Sequence, residues 1–375
     1  MTSPSARERT GWPSFLGLPM FWLGATVSLC YIPGTTGAYI ATQWPVLAVL
    51  LMFGLLRSGP FTIFHGLGLL FVAYATVHAW FTPAQEFSVF GLWLVWIMAL
   101  SVWFGTTMVS TRELYAGLAL GAGVSSAVAV LQHFGLNVVP RASDAPAGIY
   151  VNGVQQGLVL ALLVVALLTE RMWFWALPLL PGIALSGSRG AWFALAVGLT
   201  GLLVRRTWLL GIAAATVVLY LLMPLSMSDQ LRMLIWTAAW HNLTPFGWGP
   251  GTFYAVLIPQ SGGSFFPEYA HNDALQLAFE YGIGAAPVFV IFAFALGRTH
   301  VREWPVILAF VTAGFYSMPL WMPLASFLVL VGLGHSLRAH ALVRGERDRC
   351  GRHVLSWRRC GESASCGAVP VQPSY

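Results

Sequence analysis

The chain has 375 residues, 57% of them hydrophobic and 9% charged, with a mean hydropathy of +0.73. Soluble domains carry about 25% charged residues, so the composition excludes a soluble globular protein and implies a polytopic membrane protein. The net charge of +6 rests on nineteen basic residues, all arginine, and in such a chain their placement reports topology, with no implication of nucleic-acid binding.

In chain order, apolar runs at 14–33, 39–56, 60–80, 88–108, 113–134, 153–169, 172–186, 190–204, 207–225, 274–297, 304–317 and 320–337 predict about 12 transmembrane helices. A helical crossing needs about 20 mostly apolar residues, whereas a barrel strand would show about ten in alternation. The first run follows Arg7 and Arg9 and ends without a small-x-small cleavage site, so it reads as a retained span. With the N-terminus inside, Arg57, Arg112, Arg171, Arg205, Arg206, Arg298, Arg302 and Arg338 all fall on the cytoplasmic side. The expected fold is therefore all-α and multi-pass. Residues 1–338 form the membrane domain and 339–375 a cytoplasmic, disordered tail. Cys350, His353, Cys360 and Cys366 lie in that tail at spacings that fit no familiar zinc site, and no metal is expected.

Three arginines fall on the opposite, outward side: Arg141, Arg189 and Arg232. Arg141 pairs naturally with Asp144 in the outward segment 135–152, which ends in Asn152, Gln155 and Gln156 at a helix start. Those three polar residues either bind sugar hydroxyls or cap the helix. Ser186-Gly187-Ser188-Arg189-Gly190-Ala191-Trp192 opens the eighth span at its outer end. A serine cap, flexible glycines, the helix N-terminus and a guanidinium fork together suit a bulky anion.

The outward segment 226–273 is the longest polar break, and long loops are more often functional than connecting. Its first part predicts an interfacial helix carrying Arg232, Trp236 and Trp240 at i, i+4, i+8 on one stripe. Thr244 to Tyr254 is too rich in Gly and Pro for a helix and predicts a tight loop, either lining a sugar groove or plugging the helix ends. His271-Asn272-Asp273 then opens the tenth span, with Asn272 or Asp273 as N-cap. Beside a cationic patch and a helix N-terminus, His271 is expected to be neutral, and it is the candidate proton acceptor.

The Ser-Gly-Ser-Arg-Gly-Ala-Trp start (186–192), the Arg-x3-Trp helix (232–236), the Phe-Gly-x-Gly-Pro-Gly loop (246–251) and His-Asn-Asp-x-Leu-Gln (271–276) with Glu280 and Gly282 resemble the O-antigen ligase and polymerase superfamily. The resemblance covers residues 148 to about 284. It implies a glycosyltransferase of about twelve helices, using neither metal nor cofactor. Such an enzyme moves a glycan from undecaprenyl diphosphate to an acceptor hydroxyl on the periplasmic side. The acceptor is lipid A-core in a ligase, another lipid-linked glycan in a polymerase, or a protein Ser or Thr. It also implies Arg189 and Arg232 as diphosphate binders, with Arg189 counted in the catalytic centre, and His271 as the catalytic residue that activates the acceptor. Arg141, Asn152, Gln156, Trp236 and Asn272 are the further candidate substrate contacts. A flippase for the same lipid or a transporter is the alternative from outside the class; a flippase has no need of His271.

Overall fold

The computed structural model describes residues 19–29, 63–108, 110–139, 146–150, 152–203, 227–260, 269–297, 302–322 and 324–338. Among these residues there are helices and turns and no strand. The second and ninth predicted spans, Arg141 with Asp144, and the Cys-containing tail lie outside the described residues.

In chain order the helices are α1 (Pro19–Leu29), α2 (Ile63–Phe81), α3 (Gln85–Thr107), α4 (Arg112–His133), α5 (Gly153–Thr169), α6 (Trp173–Leu185), α7 (Arg189–Leu203), α8 (Met227–His241), α9 (Phe253–Gln260), α10 (Asp273–Tyr281), α11 (Ala286–Gly297), α12 (Trp304–Gly314) and α13 (Leu324–Arg338). Among the described residues, four stretches are long and apolar enough to cross a membrane: α2, α3, α4, and α10 with α11 read as one segment. Pro178 and Pro181 lie within α6, where a 3₁₀ turn at Leu177–Leu179 interrupts the α-helix.

Small residues set the closest helix contacts. Gly24 and Ser28 of α1 face Gly117 and Gly121 of α4, so each helix presents a small residue every fourth position. A Cβ added at Gly117 would run into the Phe21 carbonyl. Without water to expel between helices in lipid, backbone approach of this kind and the van der Waals contact it permits hold them together. Gly105 of α3 and Gly334 of α13 meet in the same way. At the centre lies α5, whose residues from Gly157 to Ala166 are all buried.

Among the described residues, the paired charged side chains gather at the two ends of the bundle. At one end Glu170 joins Thr111 (3.0 Å) and Arg302 (2.8 Å), Glu303 accepts from Ser336 and faces His335 (2.6 Å each), and Arg338 donates to the Thr107 and Met108 carbonyls. Arg112, Arg171, Arg302 and Arg338, four of the predicted cytoplasmic arginines, all belong to this end. Gathered at the other end are the 82–85 connection, the start of α7, α8, the loop 244–252, and residues 269–273.

That loop settles one of the open sequence readings: it is a plug. Trp248 N–H donates to the Phe279 carbonyl (3.0 Å) and Gly249 N–H to the Glu280 carbonyl (2.8 Å), while Ile283 N–H donates to Pro245 O (2.9 Å). The last carbonyls of α10, which have no partner of their own in the helix, are thus taken by the loop. The chain breaks at Gly282, whose φ of 52 marks the left-handed region, and resumes as α11 after a 3₁₀ turn.

Candidate functional site

The site is built at the outer helix starts. Ser186 Oγ donates to the Ile183 carbonyl (2.7 Å) and accepts from Ser188 N–H (3.2 Å), and Ser188 Oγ accepts from Ala191 N–H (3.2 Å). Ser188 is therefore the cap of α7, and Ser186 shapes the turn before it. Gly187 has φ 64 and nothing within 4 Å of where a Cβ would stand, so the backbone there is open to a ligand. Arg189 leaves the first helical position with half its side chain exposed.

On α8, Asp229 and Arg232 stand three residues apart on one face. Asp229 Oδ1 lies 3.0 Å from Arg232 Nη1, and its Oδ2 lies 3.5 Å from Arg189 Nη1. A single buried carboxylate thus gathers two guanidiniums from distant segments over a cavity of about 160 Å³, whose wall also includes Gly187, Ser188, Tyr316 and Ser317. Two cations and one anion leave a net positive charge, and the N-terminus of α7 adds its own partial charge. Arginine forks suit phosphate oxygens in a way a point charge does not.

His271 sits beside this cluster at φ 51, a left-handed conformation that costs a non-glycine residue about 1 kcal/mol or more. Its neighbours impose it. The Ala270 carbonyl accepts from Trp236 Nε1 (2.8 Å), and Ala270 N–H donates to Gln276 Oε1 (2.7 Å). Asn272 caps α10 by accepting from Leu275 N–H (3.0 Å), and Asp273 Oδ2 accepts from Leu320 N–H (3.0 Å). Burial first, and then the positive charge of Arg232, bring the imidazole pKa down to about 4. The expected neutral form follows, through burial first and the Arg232 charge second.

A second, wider and open hollow of about 570 Å³ has Trp236, Trp240, Asn272 and Phe315 in its wall. Trp240 is 68% exposed there, while the Trp236 indole N–H is committed to Ala270.

Arg189, Arg232, His271, Asn272 and Trp236 therefore converge. Asn152 and Gln156 do not join them. Asn152 caps α5 by accepting from Gln155 N–H (2.9 Å), and Gln156 is fully buried, reaching Ser125 O of α4 at 3.5 Å. What α5 lends to the cavity is Val154 and Leu158. Three residues went unread in sequence. Asp229 carried a signal in its i, i+3 spacing from Arg232. Tyr316 and Ser317, the predicted end of the eleventh span, lie past α12 in the connection to α13, which holds a 3₁₀ turn at Pro319–Trp321. No protein-family model matches the chain, and no curated protein matches it.

Proposed function

We propose that this chain is a membrane glycosyltransferase of the O-antigen ligase type. It takes a glycan from undecaprenyl diphosphate and joins it to an acceptor hydroxyl on the periplasmic face of the inner membrane. The observation that carries the reading is the meeting of Arg189 and Arg232 on Asp229, around a cavity, with the His271 imidazole close enough to feel the Arg232 charge.

In this reaction the acceptor oxygen bonds to the anomeric carbon of the first sugar, and the bond from that carbon to the diphosphate oxygen breaks. The electron pair of the broken bond stays on the diphosphate, where the two guanidiniums and the start of α7 stabilise it. The hydroxyl proton passes to the free nitrogen of His271, a step worth a typical 10²–10⁴-fold. Attack opposite the leaving diphosphate inverts the anomeric centre. Burial and the Arg232 charge make His271 a weak base; a bound diphosphate offsets the Arg232 charge and raises the imidazole towards the range where proton transfer is efficient.

Replacing His271 with Ala should abolish transfer while leaving protein level and binding of the lipid carrier intact, and undiminished transfer in that variant would overturn the assignment. Gel analysis of lipopolysaccharide from a strain lacking the chain identifies the acceptor. Core without polymer marks lipid A-core ligation, core with a single repeat marks polymerisation, and an unchanged pattern marks a protein or other acceptor. A flippase would tolerate the loss of His271.

A further inference from the structure

The proposed role of His271 raises the question of what holds it in a strained conformation, and the hydrogen-bond chain behind it points to Glu280. This carboxylate lies two turns into α10 and is fully buried. Its Oε2 accepts from Gly251 N–H (2.9 Å), with the Phe253 N–H also directed at it, and its Oε1 accepts from Gln276 Nε2 (2.8 Å). Gln276, itself buried, accepts from Ala270 N–H (2.7 Å) through its other end. The chain therefore runs from the plug loop through Glu280 and Gln276 to the residue before His271.

We propose that Glu280 is a positioning residue that sets His271 through Gln276, an inference that rests on the catalytic reading of that histidine. The argument is one of parity. Both ends of the chain are backbone N–H donors, at Gly251 and at Ala270. A carboxamide accepts at one end and donates at the other, whereas a carboxylate accepts at both. Two donor ends are satisfied only if one link is a carboxylate and the other an amide. Glu280→Gln places two amides between two donors, so one junction must face N–H to N–H, however the amides rotate. If Gln276 turns to relieve its contact with residue 280, the conflict moves to Ala270, next to His271. An unsatisfied buried donor is costly, and the strained φ at His271 gives that segment a way to relax.

The pattern has a second solution. Gln276→Glu combined with Glu280→Gln exchanges the two links and preserves the hydrogen bonds of the chain, from Gly251 to position 280, between the two links, and from Ala270 to position 276. The carboxamide then at position 280 accepts from Gly251 N–H through its oxygen and donates through its nitrogen to the carboxylate at position 276, which in turn accepts from Ala270 N–H.

The test uses the full chain in detergent and two readouts. Hydrogen–deuterium exchange should show faster exchange at 269–272 in Glu280→Gln, with α8 unchanged, and wild-type protection restored in the exchanged pair. With undecaprenyl diphosphate bearing a short tagged oligosaccharide as donor, Glu280→Gln should lower kcat by about 10²-fold at unchanged KM, and the exchanged pair should recover most of it. Unaltered exchange in Glu280→Gln overturns the proposal, as does general loosening across α8. So does a folded exchanged pair that stays as slow as the single variant; if the single variant fails to fold, the exchanged pair alone decides. The exchange readout needs no turnover, so an active His271→Ala variant would defeat the catalytic reading of His271 and leave the positioning result to be judged separately.

Discussion

At the scale of single residues, the site is defined by charges that restrain one another. Because burial and Arg232 lower His271 to about 4, its neutral form prevails from pH 7 down to about 5. A free-enzyme rate that depends on neutral His271 should therefore fall only as pH drops through about 4, where an ordinary histidine would lose its base form near 6.5. Arg232→Gln removes the smaller of the two causes and should move the midpoint part of the way back up, as read by the NMR titration of labelled histidine. Asp229 acts as a resident anion. In Asp229→Asn, net charge rises by one, and inorganic pyrophosphate should bind up to about tenfold more tightly, with a steeper dependence on salt. Transfer should nonetheless slow, because the two forks lose the carboxylate that aims them. Lys at position 189 or 232 keeps the charge but loses the planar fork, and should fail in transfer.

At the scale of elements, the plug and the break in α10–α11 are one construction. A Cβ on Gly282 would strike the Pro245 carbonyl and the Gly247 N–H, and the φ of 52 disfavours any side chain. Gly282→Ala should cost about 2–5 kcal/mol, measured by thermal unfolding in detergent. How far these elements were legible depended on range. The Asn272 cap, the helix of Arg232 and the Ser188 start follow local rules that span three or four residues, and the sequence announced them. Whether 244–252 lines a groove or seals helix ends depends on Phe279 and Glu280, some thirty residues on, and no local pattern encodes that. Gln156 shows the opposite failure. A polar residue at an outward helix start looked like a ligand contact, but it is buried against Ser125 and serves packing between α4 and α5.

At the scale of the whole molecule, the division into two polar ends is the strongest support for the predicted sidedness. In a chain with its four cysteines replaced by Ser, Asn137→Cys should react with a membrane-impermeant maleimide in spheroplasts, and Ser110→Cys should react only after lysis. Labelling of both, or the reverse order, would reject the proposed orientation. At the end opposite the site, burial raises the Glu170 carboxyl and Arg302 draws it back down. Arg302→Gln should therefore destabilise the fold, by about 1–3 kcal/mol given the arginine's exposure, and leave the site residues untouched.

Those far-end pairs carry a consequence for traffic through the molecule. A carrier that alternates access must part its helices at each face in turn. Here, parting α5 from α12 at the arginine-rich face would strand Glu170 without its cation, and parting α12 from α13 would strand Glu303 without His335 and Ser336. Among the described residues, these contacts tie the arginine-rich end together, and under the proposed function only the site end opens. Under the proposed function, donor, acceptor and spent carrier all enter and leave sideways through the same leaflet, and recycling the carrier lipid across the membrane falls to a different machine.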